Sequence, residues 1–202
     1  MMLKLKHKYS TLNKYEVGVD EAGRGSLAGP VFAACVVLPD NFDVLEINDS
    51  KLLTPNKRKL MKEYIIQNAL FYSFSYVSNE IIDKINILKA TIKAMHIALE
   101  KLSIFPDLIL VDGNNFVPYK NLKYKCIIKG DRKYVSIAAA SIIAKTFRDE
   151  YMNELHKLYP MYNWAKNKGY PTKEHIKAIK KYGLSPYHRK TFSLKYLQQT
   201  LF

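Results

Sequence analysis

Short, mostly apolar runs that end in acidic residues are the feature that most constrains the fold of this chain. Three such runs, at residues 15–19, 108–111 and 124–129, have the length of buried β-strands. Unpaired carboxylates resist burial and repel one another, so placing them repeatedly at strand ends is costly unless they meet and bind cations. We therefore expect one acidic cluster gathered from several strand ends. Its members are Asp20, Glu21, Asp112 and Asp131.

The rest of the pattern predicts an α/β fold with a mixed five-stranded sheet flanked by helices. Two further strands are expected at residues 31–38 and 71–78, where apolar and aromatic side chains concentrate. Thr54 and Pro55 have the positions of an N-cap and of a first helical residue. The predicted helices span residues 54–70, 86–102, 136–158, 172–182 and 194–201. Ligand sites of such sheets collect at strand ends, where the acids are.

The charge is distributed unevenly along what we expect to be a single domain of residues 1–202. Its core is predicted over about 15–160, followed by a basic helical extension over about 161–202. The net charge is +14, yet residues 1–112 hold 14 basic and 13 acidic side chains, whereas residues 113–202 hold 18 and 5. This asymmetry favours a nucleic-acid partner for the second half, with a membrane surface or simple solubility as alternatives.

The acidic cluster predicts a site for hard divalent cations. Carboxylate oxygens are the ligands that Mg²⁺ and Mn²⁺ prefer, whereas Zn²⁺ would call for His or Cys at ligand spacing, which this sequence does not offer. The chemistry indicated is phosphodiester hydrolysis by two metal ions. The alternative is that each acid is a solvated loop or turn residue.

Gly23, Arg24 and Gly25, here called the glycine turn, follow the first acids directly. Residues 23–28 match the loose dinucleotide fingerprint, but that fingerprint must open a helix and this segment leads into a strand. A glycine backbone can approach a sugar edge closely and contact its 2′-hydroxyl. The alternatives are a turn without a chemical role, and an Arg24 that pairs with an acid of the cluster.

The basic extension interleaves lysines with an aromatic residue. Lys166, Lys168 and Lys173 surround Tyr170, which suits a phosphate track beside a ring that stacks on a sugar or base. A solvated lysine face with a turn tyrosine is the alternative. Residues 188–192 repeat the pattern more weakly.

Seven segments together resemble a known family. They are residues 18–25, 48–52, 86–91, 111–114, 129–131, 138–145 and 169–172, and they occur in the order found in type 2 ribonucleases H, the bacterial ribonuclease HII family. The resemblance spans about residues 15–192. One departure is Ser26, which stands where many relatives carry proline. The related ribonuclease HIII carries a sizeable N-terminal domain, and the roughly 14 residues before the first strand here disfavour that assignment.

The resemblance implies a ribonuclease H-like fold and endonucleolytic cleavage of the RNA strand in RNA–DNA hybrids. It also implies cutting on the 5′ side of a ribonucleotide embedded in duplex DNA, which leaves 3′-hydroxyl and 5′-phosphate ends. The acidic cluster would bind Mn²⁺ or Mg²⁺ and be catalytic, with Asp131 as an accessory ligand. The residues implied to contact substrate are Gly23, Arg24 and Gly25 at the 2′-hydroxyl, Tyr170 at the sugar of the RNA–DNA junction, and Lys51 at a phosphate.

Two rival functions remain open at this point. A non-catalytic nucleic-acid-binding protein would explain the basic half but not the acids, and a junction resolvase or integrase of the same fold would not need a 2′-hydroxyl. We further expect a cytoplasmic monomer with two buried free thiols, Cys35 and Cys126, and no membrane segment. The apolar tail 196–202 is either a docking site for a weak protein partner or a final helix that packs on the body.

Overall fold

The structure is a computed structural model that describes residues 5–43 and 54–192. The proposed phosphate contact Lys51, the predicted helix at 194–201 and the apolar tail 196–202 lie outside the described residues.

A mixed sheet of five strands forms the centre of the described chain, as predicted. The strands are β1 (Glu16–Ala22), β2 (Val31–Val37), β3 (Phe71–Val77), β4 (Leu108–Asp112) and β5 (Tyr124–Ile127), in the spatial order β3-β2-β1-β4-β5. β1 pairs antiparallel with β2 and parallel with β4, and β4 pairs parallel with β5. Because β1 and β4 run in the same direction, their carboxyl ends meet at one edge of the sheet.

Helices cover both faces of this sheet. They are α1 (Pro55–Asn68), α2 (Asn79–Ile85), α3 (Ile87–Glu100), α4 (Val135–Leu158), α5 (Trp164–Asn167) and α6 (Lys173–Tyr182). α3 packs on one face, against Val17 and Val19, and α4 packs on the other, against Ala34 and Val36. The approach of α4 is close, because a Cβ at Gly18 would lie 2.1 Å from the backbone of Ser136. The predicted caps are confirmed at α1, where Thr54 accepts a hydrogen bond from the Lys57 N–H and Pro55 is the first helical residue.

Two of the expected strand ends lie elsewhere. β1 does not stop before the acids but continues through them to Ala22, because this stretch still pairs with β2, Glu21 opposite Ala33. β5 ends at Ile127, and Asp131 lies in a separate 3₁₀ turn, Gly130–Arg132. The first two acids are therefore held by the sheet, whereas Asp131 is held by a turn that leads into α4.

The chain after α4 contributes to a hydrophobic cluster that is separate from those on the two faces of the sheet and includes Leu27, shortly after the end of β1. Trp164 is fully buried in it and packs with Leu27, Met152 and Ile179. The short helix α5 in this region was not predicted, whereas α6 begins as expected after Thr172, which caps it. In residues 5–43 and 54–192, no helix is long and apolar enough to cross a membrane. Both cysteines are free thiols, and Cys35 is buried as predicted. The prediction of burial is wrong for Cys126, which is partly exposed because it lies on β5, an edge strand of the sheet.

Candidate active site

All four acids of the cluster line one cavity of about 310 Å³. The glycine turn and Tyr170 line the same cavity, whereas the lysines predicted to form a phosphate track beside Tyr170, at positions 166, 168 and 173, do not. The acids, the glycine turn and Tyr170 come from β1 and the turn that follows it, from β4, from the 3₁₀ turn and from the segment between α5 and α6. Chain segments more than one hundred residues apart therefore build a single wall of polar groups.

Asp20 of β1 is buried, with 6% of its surface exposed. Burial raises the pKa of its carboxyl well above the usual range, and the neighbouring charges of Glu21 and Asp112 raise it further. The Ser141 hydroxyl and the Glu21 N–H, which donates to Oδ1 at 2.7 Å, oppose this shift only in part. Burial likewise raises the pKa of Glu21, against the opposing charge of Arg24.

The other two acids are joined through the 3₁₀ turn. Asp112 is the last residue of β4, and its Oδ1 accepts a hydrogen bond of 2.6 Å from the Gly130 N–H. This bond fixes the start of the turn on which Asp131 lies, 5% exposed. Sequence position alone hides this link, because 18 residues separate the two partners.

The donor set fits hard divalent cations, because it consists of carboxylates gathered around one cavity. In the described part of the chain, no three His, Cys, Asp or Glu side chains converge closely enough to hold a metal ion as they stand. Glu21 instead reaches toward Arg24, and Asp112 toward Gly130. Mutual repulsion favours such divergence, and a bound cation would offset both the repulsion and the burial of Asp20.

The glycine turn uses its two glycines differently. Gly23 adopts φ +95°, which favours glycine, and a Cβ there would meet the Arg148 side chain at 2.0 Å. A Cβ on Gly25 would meet nothing nearer than Tyr170 Cε1, at 4.0 Å. Gly23 therefore serves internal packing, whereas Gly25 leaves room on the cavity side. The alternative for Arg24 is also realised, because its Nη1 lies 3.3 Å from Glu21 Oε1.

Tyr170 lies across the cavity from the glycine turn, and two buried residues, Arg148 and His175, contact it. The Arg148 guanidinium lies 5.4 Å from the centre of its ring. Its backbone carbonyl lies 2.9 Å from Nδ1 of the buried His175. Both contacts restrict the orientation in which Tyr170 presents its ring.

Sequence reasoning missed two cavity residues on α4. Ser141 and Lys145 both line the cavity, one helical turn apart. The ammonium of Lys145 is paired with Asp149, 3.0 Å from Oδ1. The available signal was the four-residue spacing of a hydroxyl and an ammonium within residues 137–145, whose other members are all Ala or Ile.

The weaker phosphate track predicted at residues 188–192 is wrong for its first two members. His188 and Arg189 are 1% and 0% exposed, so neither offers its side chain to a phosphate from outside. Both point into the cluster that supports the glycine turn, where Arg189 donates to the Gly23 carbonyl. Basic side chains in a basic segment had suggested surface positions, and tertiary packing overrides that inference.

Known proteins resemble this chain over most of its length. A sequence profile described as Ribonuclease HII matches residues 17–196. The ribonuclease HII of Parabacteroides distasonis is 53% identical over 193 residues, which is 96% of this chain and 97% of the relative. That of Christiangramia forsetii is 58% identical over 177 residues, 88% of this chain and 89% of the relative.

Solved structures share the fold. The ribonuclease H2 of Pyrococcus horikoshii superposes with a TM-score of 0.75 at 27% identity, covering 92% of this chain and 98% of that one. A PCNA:RNase HII complex from Archaeoglobus fulgidus matches with a TM-score of 0.75 at 24% identity, over 87% and 94% of the chains. Bst-RNase HIII in complex with Mn²⁺ gives 0.70 at 17% identity, over 92% and 70%.

These likenesses favour a hybrid-directed nuclease over both the non-catalytic binder and the resolvase or integrase. The fold, the four acids that line one cavity and the high identity to relatives along nearly the whole chain agree with one another. The chain belongs to the ribonuclease HII family and is an endonuclease that degrades RNA in RNA–DNA hybrids.

Proposed function

We propose that this enzyme also cuts duplex DNA on the 5′ side of an embedded ribonucleotide, leaving 3′-hydroxyl and 5′-phosphate ends, and so works in ribonucleotide excision. One observation carries the proposal: the acidic cluster, the glycine turn and Tyr170 line the same cavity. A site that hydrolyses phosphodiesters and a surface able to contact one ribose therefore adjoin. Recognition of a single 2′-hydroxyl, rather than of a long hybrid, needs no more surface than this.

The acidic cluster is proposed to hold the metal ions. Asp20, Glu21 and Asp112 would supply the main carboxylate oxygens, with Asp131 as an accessory ligand behind Asp112. Mn²⁺ or Mg²⁺ bound there would activate a water molecule and stabilise the leaving oxygen. The Mn²⁺ complex of Bst-RNase HIII supports this choice of metal class.

The remaining cavity residues position the substrate. Gly25 would let the backbone approach the ribose, since its cavity side is open. Tyr170 would pack on the sugar at the RNA–DNA junction, with its ring already oriented by Arg148. Arg24 and Lys145 would stabilise phosphate charge after leaving Glu21 and Asp149, the partners that hold them in the free protein. Lys51 is proposed as a further phosphate contact from the sequence alone.

The test is product analysis on a long RNA–DNA hybrid and on a duplex with one ribonucleotide, each labelled at both ends. We expect 3′-hydroxyl and 5′-phosphate ends from both substrates, with metal and not with chelator. Cuts on the 3′ side of the ribose, or 2′,3′-cyclic phosphate ends, would contradict the proposal, because the latter arise when the 2′-hydroxyl is the nucleophile.

We further propose a monomer that works in the cytoplasm as one unit of residues 1–202, and a protein partner docked at the tail 196–202. The partner is supported by the archaeal RNase HII structure, which is a complex with PCNA. Deleting residues 196–202 should abolish binding to a PCNA-like protein while the cleavage rate on short duplexes stays unchanged. A deletion that only lowers the unfolding temperature would instead mean that the tail packs on the body.

A further inference from the structure

Arg189 is a fully buried arginine whose side chain donates to three backbone carbonyls around the glycine turn. Nη2 donates to the Gly23 carbonyl at 2.7 Å, Nη1 to the Arg24 carbonyl at 2.9 Å, and Nε to the Gly29 carbonyl at 2.9 Å. These carbonyls belong to residues 160 or more positions earlier in the chain. Burial of a charged group is energetically costly. We therefore expect a buried guanidinium that donates to three backbone carbonyls to have a role beyond packing.

Arg148 is a second buried arginine that uses backbone carbonyls in the same way. Its guanidinium donates to the carbonyls of Ala28 and Pro30, at 3.2 and 3.1 Å, and to that of Lys168 at 3.0 Å. The same group lies over the ring of Tyr170. Arg148 therefore ties the chain that follows the glycine turn to the loop that carries Tyr170.

Main-chain hydrogen bonds complete the connection between these segments. The Leu27 N–H donates to the Gly169 carbonyl at 2.7 Å, and the Leu27 carbonyl accepts from the Arg189 N–H at 2.8 Å. Arg189 is itself fixed from α2, because the Asp83 carboxylate accepts from the N–H groups of Lys190 and Thr191 at 2.9 and 3.1 Å. The glycine turn is thus held by a rigid frame.

The Arg189 contacts also determine the direction in which the N–H groups of the glycine turn point. Each carbonyl shares a planar peptide unit with the next residue's N–H, and in a trans peptide the two point in opposite directions. The described chain contains no cis peptide bonds. Because Arg189 draws the carbonyls of Gly23 and Arg24 inward, the N–H groups of Arg24 and Gly25 are turned away from it.

We propose that Arg189 and Arg148 are positioning residues for ribose recognition: Arg189 sets the orientation of the glycine-turn N–H groups, and Arg148 sets the distance between that turn and Tyr170. This inference rests on the proposed function, in which the turn and Tyr170 contact the ribose. Neither arginine lines the cavity, and both are buried, with 0% of Arg189 and 1% of Arg148 exposed. Only a guanidinium supplies donors in a fixed fork, so lysine keeps the charge but cannot reach three carbonyls at once.

The charge on Arg189 persists at neutral pH. Burial, and to a lesser extent the nearby Arg148, lowers the pKa of Arg189 to about 9. Burial also lowers the pKa of Arg148. At neutral pH Arg189 therefore remains a charge-assisted donor to its three carbonyls, which are stronger hydrogen bonds than neutral ones.

The experiment compares wild type, Arg189→Lys and Arg148→Lys with a matched control, Ser75→Ala. Ser75 is also buried and donates to a backbone carbonyl, that of Ala94, but on the α3 side of the sheet. Four quantities are measured: the unfolding temperature, kcat and KM on a duplex with one ribonucleotide, and amide hydrogen exchange in peptides covering residues 22–30. Affinity for an all-DNA duplex is measured in chelator.

We expect Arg189→Lys to lower kcat by at least about 10-fold, because small displacements of positioning groups have large effects on rate. Exchange at residues 22–30 should rise, and affinity for the all-DNA duplex should stay within about twofold of wild type. Arg148→Lys should show the same pattern and decides the matter if Arg189→Lys does not fold. Ser75→Ala should lower the unfolding temperature alone.

Two results would overturn the inference. One is wild-type kcat and exchange in both lysine variants, and the other is an equal kcat loss in Ser75→Ala at a matched loss of stability. Failure of the proposed function would look different, because wild type would then not cut the ribonucleotide duplex. The exchange data would still report whether the arginines hold the turn.

Discussion

Gly23 and Arg148 pack so closely that a Cβ on Gly23 would lie 2.0 Å from Nε of Arg148. Gly25, two residues later, has no such neighbour, and its nearest atom would be Tyr170 Cε1 at 4.0 Å. The two positions of this turn thus require glycine for different physical reasons. The first makes room for a buried guanidinium, and the second leaves an open wall in the cavity.

Alanine substitutions should distinguish these two reasons for glycine. Gly23→Ala introduces a clash at a residue with φ +95°, and we expect it to lower the free energy of unfolding by about 2 kcal/mol or more. Gly25→Ala should change stability by less than about 1 kcal/mol and still lose most cleavage at a single ribonucleotide. Urea unfolding and initial rates test both. Equal destabilisation by the two variants would refute the distinction.

Asp112→Asn should separate catalysis from stability. Its Oδ1 can still accept from the Gly130 N–H, while one of the charges that raises the pKa of Asp20 is removed. Without metal, the free energy of unfolding of this variant should therefore equal or exceed that of wild type. Cleavage should fall more than about 100-fold, since even outer-shell partners of metal sites commonly contribute 10- to 100-fold.

A control for this variant lies at the other end of the same strand. Asp107 accepts from the N–H groups of Lys14 and Tyr15 just before β4, so Asp107→Asn should keep wild-type activity. Mn²⁺ should raise the unfolding temperature of wild type and of Asp107→Asn, and much less that of Asp112→Asn. Near wild-type cleavage by Asp112→Asn would show that the metal site is assigned wrongly.

Removal of the Tyr170 ring should impair cleavage at a junction more than binding to a hybrid. Tyr170→Ala removes the surface that would pack on the sugar, whereas Tyr170→Phe keeps the ring under the Arg148 guanidinium. We expect a loss of about 10-fold or more for the alanine variant, since stacking on an aromatic ring contributes about 1 to 3 kcal/mol. An equal loss on all substrates would argue against the sugar contact.

Stability should depend on pH through His188. Burial, with a smaller effect of His175, lowers the pKa of His188 from 6.5 to about 4. Between these values the unfolded chain binds a proton that the folded protein does not, so stability falls as the pH drops from 6.5 to 4. The contribution is on the order of 3 kcal/mol at roughly 1.4 kcal/mol per pKa unit.

His188→Asn isolates this effect. Nδ1 of His188 accepts from the Ser185 N–H at 2.9 Å, and an asparagine oxygen can take that place without titrating. The raised pKa of Asp20 acts in the opposite direction in both proteins and cancels in the difference. Chemical unfolding from pH 4 to 7 should show a shallower slope for the variant, and identical slopes would exclude His188 as the source.

Local patterns sufficed for much of the fold. The five strands and the helices α1, α3, α4 and α6 follow from apolar runs, spacing and caps such as Thr54, which act within a few residues. α2 and α5 were missed because seven- and four-residue helices carry little periodicity. The extension of β1 through Asp20 and Glu21 was missed because acids rarely continue a strand, and only pairing with β2 reveals it.

The candidate site was predicted in part for the same reason. Acids and glycines in motifs are visible in the sequence, and the cavity contains all of them that the structure describes. The supporting contacts join distant segments, as when Arg189 reaches Gly23 across 166 positions. Composition had suggested a surface role for Arg189, and only packing shows that it is buried.

The most direct test of the account is cleavage of a labelled DNA duplex that carries one ribonucleotide, beside its all-DNA twin, with Mn²⁺, with Mg²⁺ and with chelator. We predict cutting on the 5′ side of the ribonucleotide with metal, and none of the twin under any condition. Cutting of both duplexes would still support catalysis by the acidic cluster, but it would contradict ribose recognition by the glycine turn. Binding without cutting would contradict the account as a whole.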